Sequence, residues 1–224
     1  MKNIQELLDG YREFRSQTFP ANQELYRDLV EHGQSPRVMI ISCCDSRVDP
    51  AVILNTKPGD LFMVRNVANI VPPYDPHGDN HSTSAALEFA VTGLKVAHIM
   101  VLGHAHCGGV KSFLAGLQGA ATGAEAEHSF ISRWMTLLRP AMAHLQAAGA
   151  PCDPKDRQRA LEHASIINSL ANLETFPFVR ERLDDGTLAL HGAWFDIERG
   201  LLLAYDPATK SFLALDGGSG GETA

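Results

Sequence analysis

Arg37-Val38-Met39-Ile40-Ile41-Ser42-Cys43-Cys44-Asp45-Ser46-Arg47 is the stretch that decides the fold. Residues 37–43 form an almost unbroken apolar run. A strand with one wet face alternates apolar and polar residues. A run without alternation belongs to a strand buried on both faces, as in a parallel sheet covered by helices. The chain then turns polar, and Asp49-Pro50 supplies an acidic cap and a proline for the first turn of a helix.

Further along, that helix is short and ends at Pro58-Gly59. Residues 61–67 predict a second strand, and 69–81 a polar loop carrying Pro72, Pro73 and Pro76. Ser82 caps a helix reaching about Lys95. Residues 98–103, with Ile99-Met100-Val101-Leu102, predict a third strand, and Gly108–Leu117 a helix after it. Residues 118–127 are Gly/Ala-rich and predict a mobile loop. Residues 130–148 and 154–174 predict two long helices. Residues 188–197 and 201–205, joined at Glu198-Arg199-Gly200, predict strands at a sheet edge. Residues 217–221 predict a disordered tail. Upstream of the opening stretch, Ile4, Leu7, Leu8, Tyr11 and Phe14 recur at helical spacing, and a second helix follows Pro20 with Leu25, Leu29 and Val30. With no strand between them, residues 1–35 predict an arm laid over something else.

The order predicts an α/β fold: a central mostly parallel β-sheet with an antiparallel edge, helices on both faces and an N-terminal helical arm. One domain is expected over 1–224, with 216–224 as a disordered tail. A chain of 224 residues suits one sizeable domain. Net charge is −7 and no basic block stands out, which argues against a nucleic-acid partner. No stretch approaches the roughly 18 apolar residues that a membrane span needs. The N-terminus has no apolar core of a secretory signal, and four cysteines are too few and too oddly spaced for a disulfide framework. A cytoplasmic location is therefore expected.

Two short motifs end the first and third strands: Cys43-Cys44-Asp45-Ser46-Arg47 and His104-Ala105-His106-Cys107. In open α/β sheets, ligands bind beyond the carboxyl ends of the strands, where both motifs fall. Cys43 and Asp45 are two apart, so an extended segment turns both to one side. Cys44 then points away and is expected to be a small buried residue. His104 and Cys107 are three apart and can face one ion, with His106 in the surroundings or in solvent. Two thiolates and an imidazole suit zinc. The fourth position falls to a carboxylate, which closes the site, or to a water, which makes it catalytic. Alone, each residue has an ordinary structural reading: a packed Cys, a satisfied core His, an Asp–Arg pair in a turn. Their conjunction at two strand ends points to metal.

The motif Cys43-x-Asp45-Ser46-Arg47 with His104-x-x-Cys107-Gly108-Gly109 resembles the β-class carbonic anhydrases, in particular bacterial members with an open active site. Arg65-Asn66-Val67-Ala68-Asn69, Val71-Pro72-Pro73-Tyr74 and His191-Gly192-Ala193-Trp194-Phe195-Asp196-Ile197 are similar too. The resemblance covers residues 1–206. It implies one zinc per chain held by Cys43, His104 and Cys107, with Asp45 and Arg47 as a catalytic dyad. It also implies reversible hydration of carbon dioxide to bicarbonate by a homodimer or dimer of dimers.

Zinc lowers the pKa of its bound water and so supplies hydroxide near neutral pH. Two thiolates cancel the ion's charge, so activity is expected to rise toward alkaline pH. Arg47 offers a planar fork able to hold Asp45 off the metal. Gly108 at a helix start, Val67 and Phe89 are candidates for the substrate pocket. His77 and His81 are candidate proton carriers, with exposed loop histidines as the plainer reading. The resemblance also places Lys57 where plant-type members carry an active-site glutamine. Some β-class enzymes bind bicarbonate at a second site built from Trp, Arg and Tyr. Here those positions fall on Ile40, Arg65 and Phe195, so an unregulated open site is expected. Rival readings are a carbon disulfide or carbonyl sulfide hydrolase on the same fold, and a non-catalytic zinc-thiolate redox sensor.

Overall fold

The computed structural model describes residues 2–78, 81–117, 129–215 and 222–223. The loop expected at 118–127 and the tail at 217–221 lie outside the described residues.

Four parallel strands form the heart of the sheet: β1 (Val38–Cys43), β2 (Leu61–Asn66), β3 (His98–His104) and β4 (Ala189–Asp196). Three antiparallel strands extend it: β5 (Leu201–Asp206), β6 (Ser211–Ala214) and β7 (Glu222–Thr223). Among the described residues the order is β2-β1-β3-β4-β5-β6-β7. Register does the functional work here. Val38 lies opposite both Leu61 and His98, and Ser42 lies opposite Leu102. Parallel strands in step finish together, so Cys43 and His104 reach the same carboxyl edge. The expected antiparallel edge is one strand pair wider than sequence spacing predicted. Ser211-Phe212-Leu213-Ala214 is too short for a period-two signal, yet Phe212 is fully buried.

Ten α-helices are found among the described residues. In the arm these are α1 (Ile4–Glu13), α2 (Phe19–Ala21) and α3 (Gln23–Glu31), with wider π-type turns at Phe14–Thr18. Then come α4 (Pro50–Ile53), α5 (His81–Glu88), α6 (Gly108–Leu117), α7 (Phe130–Met135), α8 (Arg139–Ala147), α9 (Pro154–Leu173) and α10 (Pro177–Asp184). Three differ from expectation. After α5 the chain continues in π-type turns over Phe89–Gly93. The single helix expected at 130–148 is split by a 3₁₀ turn at Thr136–Leu138. Pro140 explains the break, because its ring cannot accept the carbonyl one turn earlier and it has no N–H to donate. Helix α10 was missed; Pro177 in its first turn was the available signal.

One face of the sheet packs Met39, Ile41, Ile99, Val101, Trp194, Leu203 and Phe212 under Leu87 of α5, Ile166 and Leu173 of α9, and Val179 of α10. Each fully buried Leu or Ile there stabilises the fold by about 1.5–3 kcal/mol. The other face buries Ile40, Leu102 and Ala193, with Leu54 just after α4 packed on them. A third cluster sits at the carboxyl end, where Val110 and Phe113 of α6, Met135, Met142 and Leu161 surround Cys43 and Cys107.

The arm's apolar stripe stays uncovered: Ile4, Leu7, Leu8 and Tyr11 are each between 46% and 72% exposed. Phe19 stacks on Tyr26, Phe14 meets both rings edge-on, and the three fold the arm back on itself.

Candidate metal centre

Cys43 is the last residue of β1 and His104 the last of β3. Cys107 follows a turn in which His106 takes a left-handed conformation (φ 56°). That turn brings residue 107 back over the strand ends, where Cys43, His104 and Cys107 are all buried. One donor atom from each lies within 4.8 Å of the others. The Nδ1 of His104 donates to the Ala105 carbonyl at 2.8 Å, which leaves Nε2 as the free acceptor. That Nε2 is buried with no hydrogen-bond partner. An orphaned ring nitrogen in a protein interior is costly unless something binds it. Cys107 donates its S–H toward Cys43, which holds the Cys43 thiol down, while the same contact and burial push Cys107 up. The donor set, its burial and the orphaned nitrogen fit a zinc ion with three protein ligands.

Asp45 sits beside this cluster, its Oδ2 4.0 Å from His104 Nε2. It is turned onto Arg47. Nε of Arg47 donates to Oδ1 at 2.9 Å, one terminal nitrogen donates to Oδ2 at 2.7 Å, and the Arg47 backbone N–H donates to Oδ1 at 2.9 Å. These bonds hold the Asp45 carboxyl well below the usual carboxylate range. The same Arg47 nitrogen donates to the His106 carbonyl at 3.1 Å, tying the two motifs together.

Arg65 sets the backbone of the first motif. Its guanidinium donates to the carbonyls of Cys43, Asp45 and Val48 and to the Asp49 carboxylate, at 2.8–3.2 Å. Gly109 is required for close packing. A Cβ there would lie 2.9 Å from Val67 Cγ1 and 3.1 Å from the Cβ of Ala68, itself left-handed at φ 64°. Gly108, by contrast, faces open space.

The expected residues are not all brought here. Val67 packs into the cluster containing Cys43 and Cys107. Phe89 does not reach it: it is half exposed and packs on Phe62, with ring centroids 5.8 Å apart. Helix α5 starts near the carboxyl edge and descends about 1.5 Å per residue, so by residue 89 it has passed the site. Where the resemblance places the plant-type glutamine, this chain has Lys57. It lies exposed in the turn leading into β2, at the opposite end of a parallel sheet from Cys43, with its N–H bonded to Asp60. Cys44 is exposed rather than buried, because the chain leaves the sheet at Cys43 and no layer among the described residues covers it. His106 points to solvent beside Glu198, and His77 is exposed.

Sequence reasoning missed Glu162. It is a buried carboxylate on α9 that accepts from the Cys107 N–H at 2.9 Å, from Gln158 Nε2 at 3.0 Å and from Trp194 Nε1 at 3.2 Å. A charged residue inside the Leu161/Ser165/Ser169 stripe of a core helix was the available signal.

The sequence profile described as "Carbonic anhydrase" matches residues 38–202. A carbonic anhydrase of Synechocystis is 34% identical over 94% of this chain and 74% of its own length. The solved β-carbonic anhydrase CcaA superposes with a TM-score of 0.85 at 34% identity, covering 94% of this chain and 91% of that one. A tetrameric β-carbonic anhydrase of Sordaria macrospora gives 0.76 at 30% identity, covering 89% and 95%. The donor cluster, the strand-end geometry and these likenesses agree: the chain belongs to the carbonic anhydrase family, in its β class, and catalyses the zinc-dependent reversible hydration of carbon dioxide to bicarbonate.

Proposed function

We propose that Cys43, His104 and Cys107 hold the single zinc, and that Asp45 and Arg47 together control and orient the reaction at it. When bound, zinc supplies Lewis-acid activation of water. The observation that carries the assignment is the buried, unpartnered His104 Nε2 facing two thiols. The remaining roles fall to the protein. Arg47 keeps the Asp45 carboxylate ionised and turned away from the three donors. In that position Asp45 accepts only, so it can take a hydrogen bond from the nucleophile and fix its orientation toward carbon. Val67 provides an apolar wall, and the N-terminus of α6 at Gly108 offers backbone N–H groups to the anionic product.

The same reading extends to assembly and location. One functional domain, with residues 1–35 as its arm, works as a homodimer or dimer of dimers in the cytoplasm. The uncovered stripe of α1 supports the first part, because an exposed apolar helix face calls for a partner surface. Four unpaired thiols suit a reducing compartment.

Metal content and stopped-flow hydration test the ligands. Wild type should carry one zinc per chain and lose hydration when stripped by a chelator. Cys107→Ala should lose both, whereas exposed Cys44→Ser should keep both. Full zinc occupancy in Cys107→Ala would overturn the ligand set.

A further inference from the structure

Glu162 carries an unusual burden for a carboxylate. It is 3% exposed, and its three described donors are all neutral: a peptide N–H, a side-chain amide and an indole. Burying a charge without a countercharge is costly and persists only where hydrogen bonds replace the lost water. Gln158 precedes Glu162 by one helical turn, so both lie on one face of α9. Gln158 Nε2 donates to Glu162 and also to the Cys107 carbonyl, the latter at 3.3 Å. Helix α9 thus reaches both polar groups of the Cys107 backbone: Glu162 takes its N–H, and Gln158 shares its C=O with the Lys111 N–H of α6, which donates at 3.0 Å. Trp194 anchors the other carboxylate oxygen to β4. Cys107 follows a strained left-handed turn and owes nothing to a strand for its placement.

We propose that Glu162 is a positioning residue: with Gln158 it clamps Cys107 from behind, and this clamp sets how firmly the centre retains zinc. The proposal rests on Cys107 being a zinc ligand. The chemistry explains why the position holds Glu and not Gln. Oε1 meets two donors and Oε2 meets a third, so both oxygens must accept. A glutamine would turn an NH₂ toward either the Trp194 N–H or the Cys107 N–H, and donor would face donor. Removing the indole N–H relieves that conflict. The pair Glu162→Gln with Trp194→Phe should therefore restore what Glu162→Gln alone loses.

The test measures zinc release from purified, zinc-loaded protein to a colorimetric chelator, alongside thermal unfolding. The thiolate-to-cobalt absorption of the cobalt-substituted protein is recorded in parallel. Groups that orient metal ligands typically change metal affinity 10–100-fold when altered. Glu162→Gln should release zinc at least tenfold faster and weaken the cobalt–thiolate band. Trp194→Phe alone should stay within about threefold of wild type, and the double variant should return to within about threefold. Gln158→Ala should accelerate release by a smaller factor, and it carries the test alone if Glu162→Gln fails to fold. Release from Glu162→Gln or Gln158→Ala at the wild-type rate would overturn the clamp. So would a double variant no better than Glu162→Gln, since a merely structural role predicts no rescue. If Cys107→Ala itself retains zinc, the ligand assignment fails and not the clamp alone.

Discussion

Replacing Arg47 with alanine asks whether Asp45 is held off the metal or simply rests beside it. Two side-chain hydrogen bonds of 2.9 and 2.7 Å disappear, while the bond from the backbone N–H of residue 47 to Oδ1 remains. Each charge-assisted bond would contribute about 1.5–3 kcal/mol if well shielded. Arg47 is 48% exposed, so water screens the pair, and about 2–3 kcal/mol for the whole fork is the better figure. The Asp45 side chain is only 16% exposed and its Oδ2 already lies 4.0 Å from His104 Nε2. A small rotation therefore brings it among the donors. Removing 2–3 kcal/mol of bias shifts the open-to-closed ratio by about 30- to 150-fold. Stopped-flow hydration at mildly alkaline pH should fall by up to that factor in Arg47→Ala, with zinc content unchanged. Arg47→Lys keeps the charge but loses the fork, so it should fall between the two. Near-normal turnover of fully zinc-loaded Arg47→Ala would refute the gate.

Deleting residues 1–31 should remove the uncovered stripe of α1 and the aromatic stack behind it, and light scattering should then report dissociation or aggregation; a stable, active monomer would disprove the role given to the arm. Bicarbonate should inhibit only as a product. Ile40 is fully buried, Phe195 packs against it, and Arg65 already donates to four oxygens of the 43–49 segment, so a sigmoidal, bicarbonate-deepened loss of hydration below about pH 8 would contradict this structure. Stability should fall with acid partly through His163, buried against Trp194 and Phe212, which burial and then Arg159 push down to about 4 from 6.5. A lowered histidine favours the neutral form in the fold. Its contribution is complete above pH 6.5 and is lost as pH falls toward 4, by up to about 3 kcal/mol. Urea midpoints should show His163→Phe losing less stability than wild type over that window, and equal losses would refute it.

What was legible in the sequence is what short-range pattern encodes. The unbroken runs before Cys43 and His104 report burial on both faces, and parallel strands in register must deliver their last residues to one edge. Zinc could thus be read from two motifs sixty residues apart without knowing any contact between them. What was not legible depends on long-range packing. Phe89 is apolar and near the right elements in order, but the descent of α5 takes it past the site, and no periodicity records how far a helix travels beside a sheet. Cys44 looked like packing because cysteines usually are, yet burial depends on whether another layer covers the strand end. Glu162 was invisible for the opposite reason. A glutamate at a helix position ordinarily faces water, and only the fold shows it 55 residues away from Cys107 in sequence and hydrogen-bonded to its backbone. Metal ligands announce themselves because few residue types can do the work. The residues that hold ligands in place use ordinary amides, indoles and carboxylates, so their role follows from where the chain puts them, and it is there that members of one family with the same motifs are free to differ in how tightly they keep their metal.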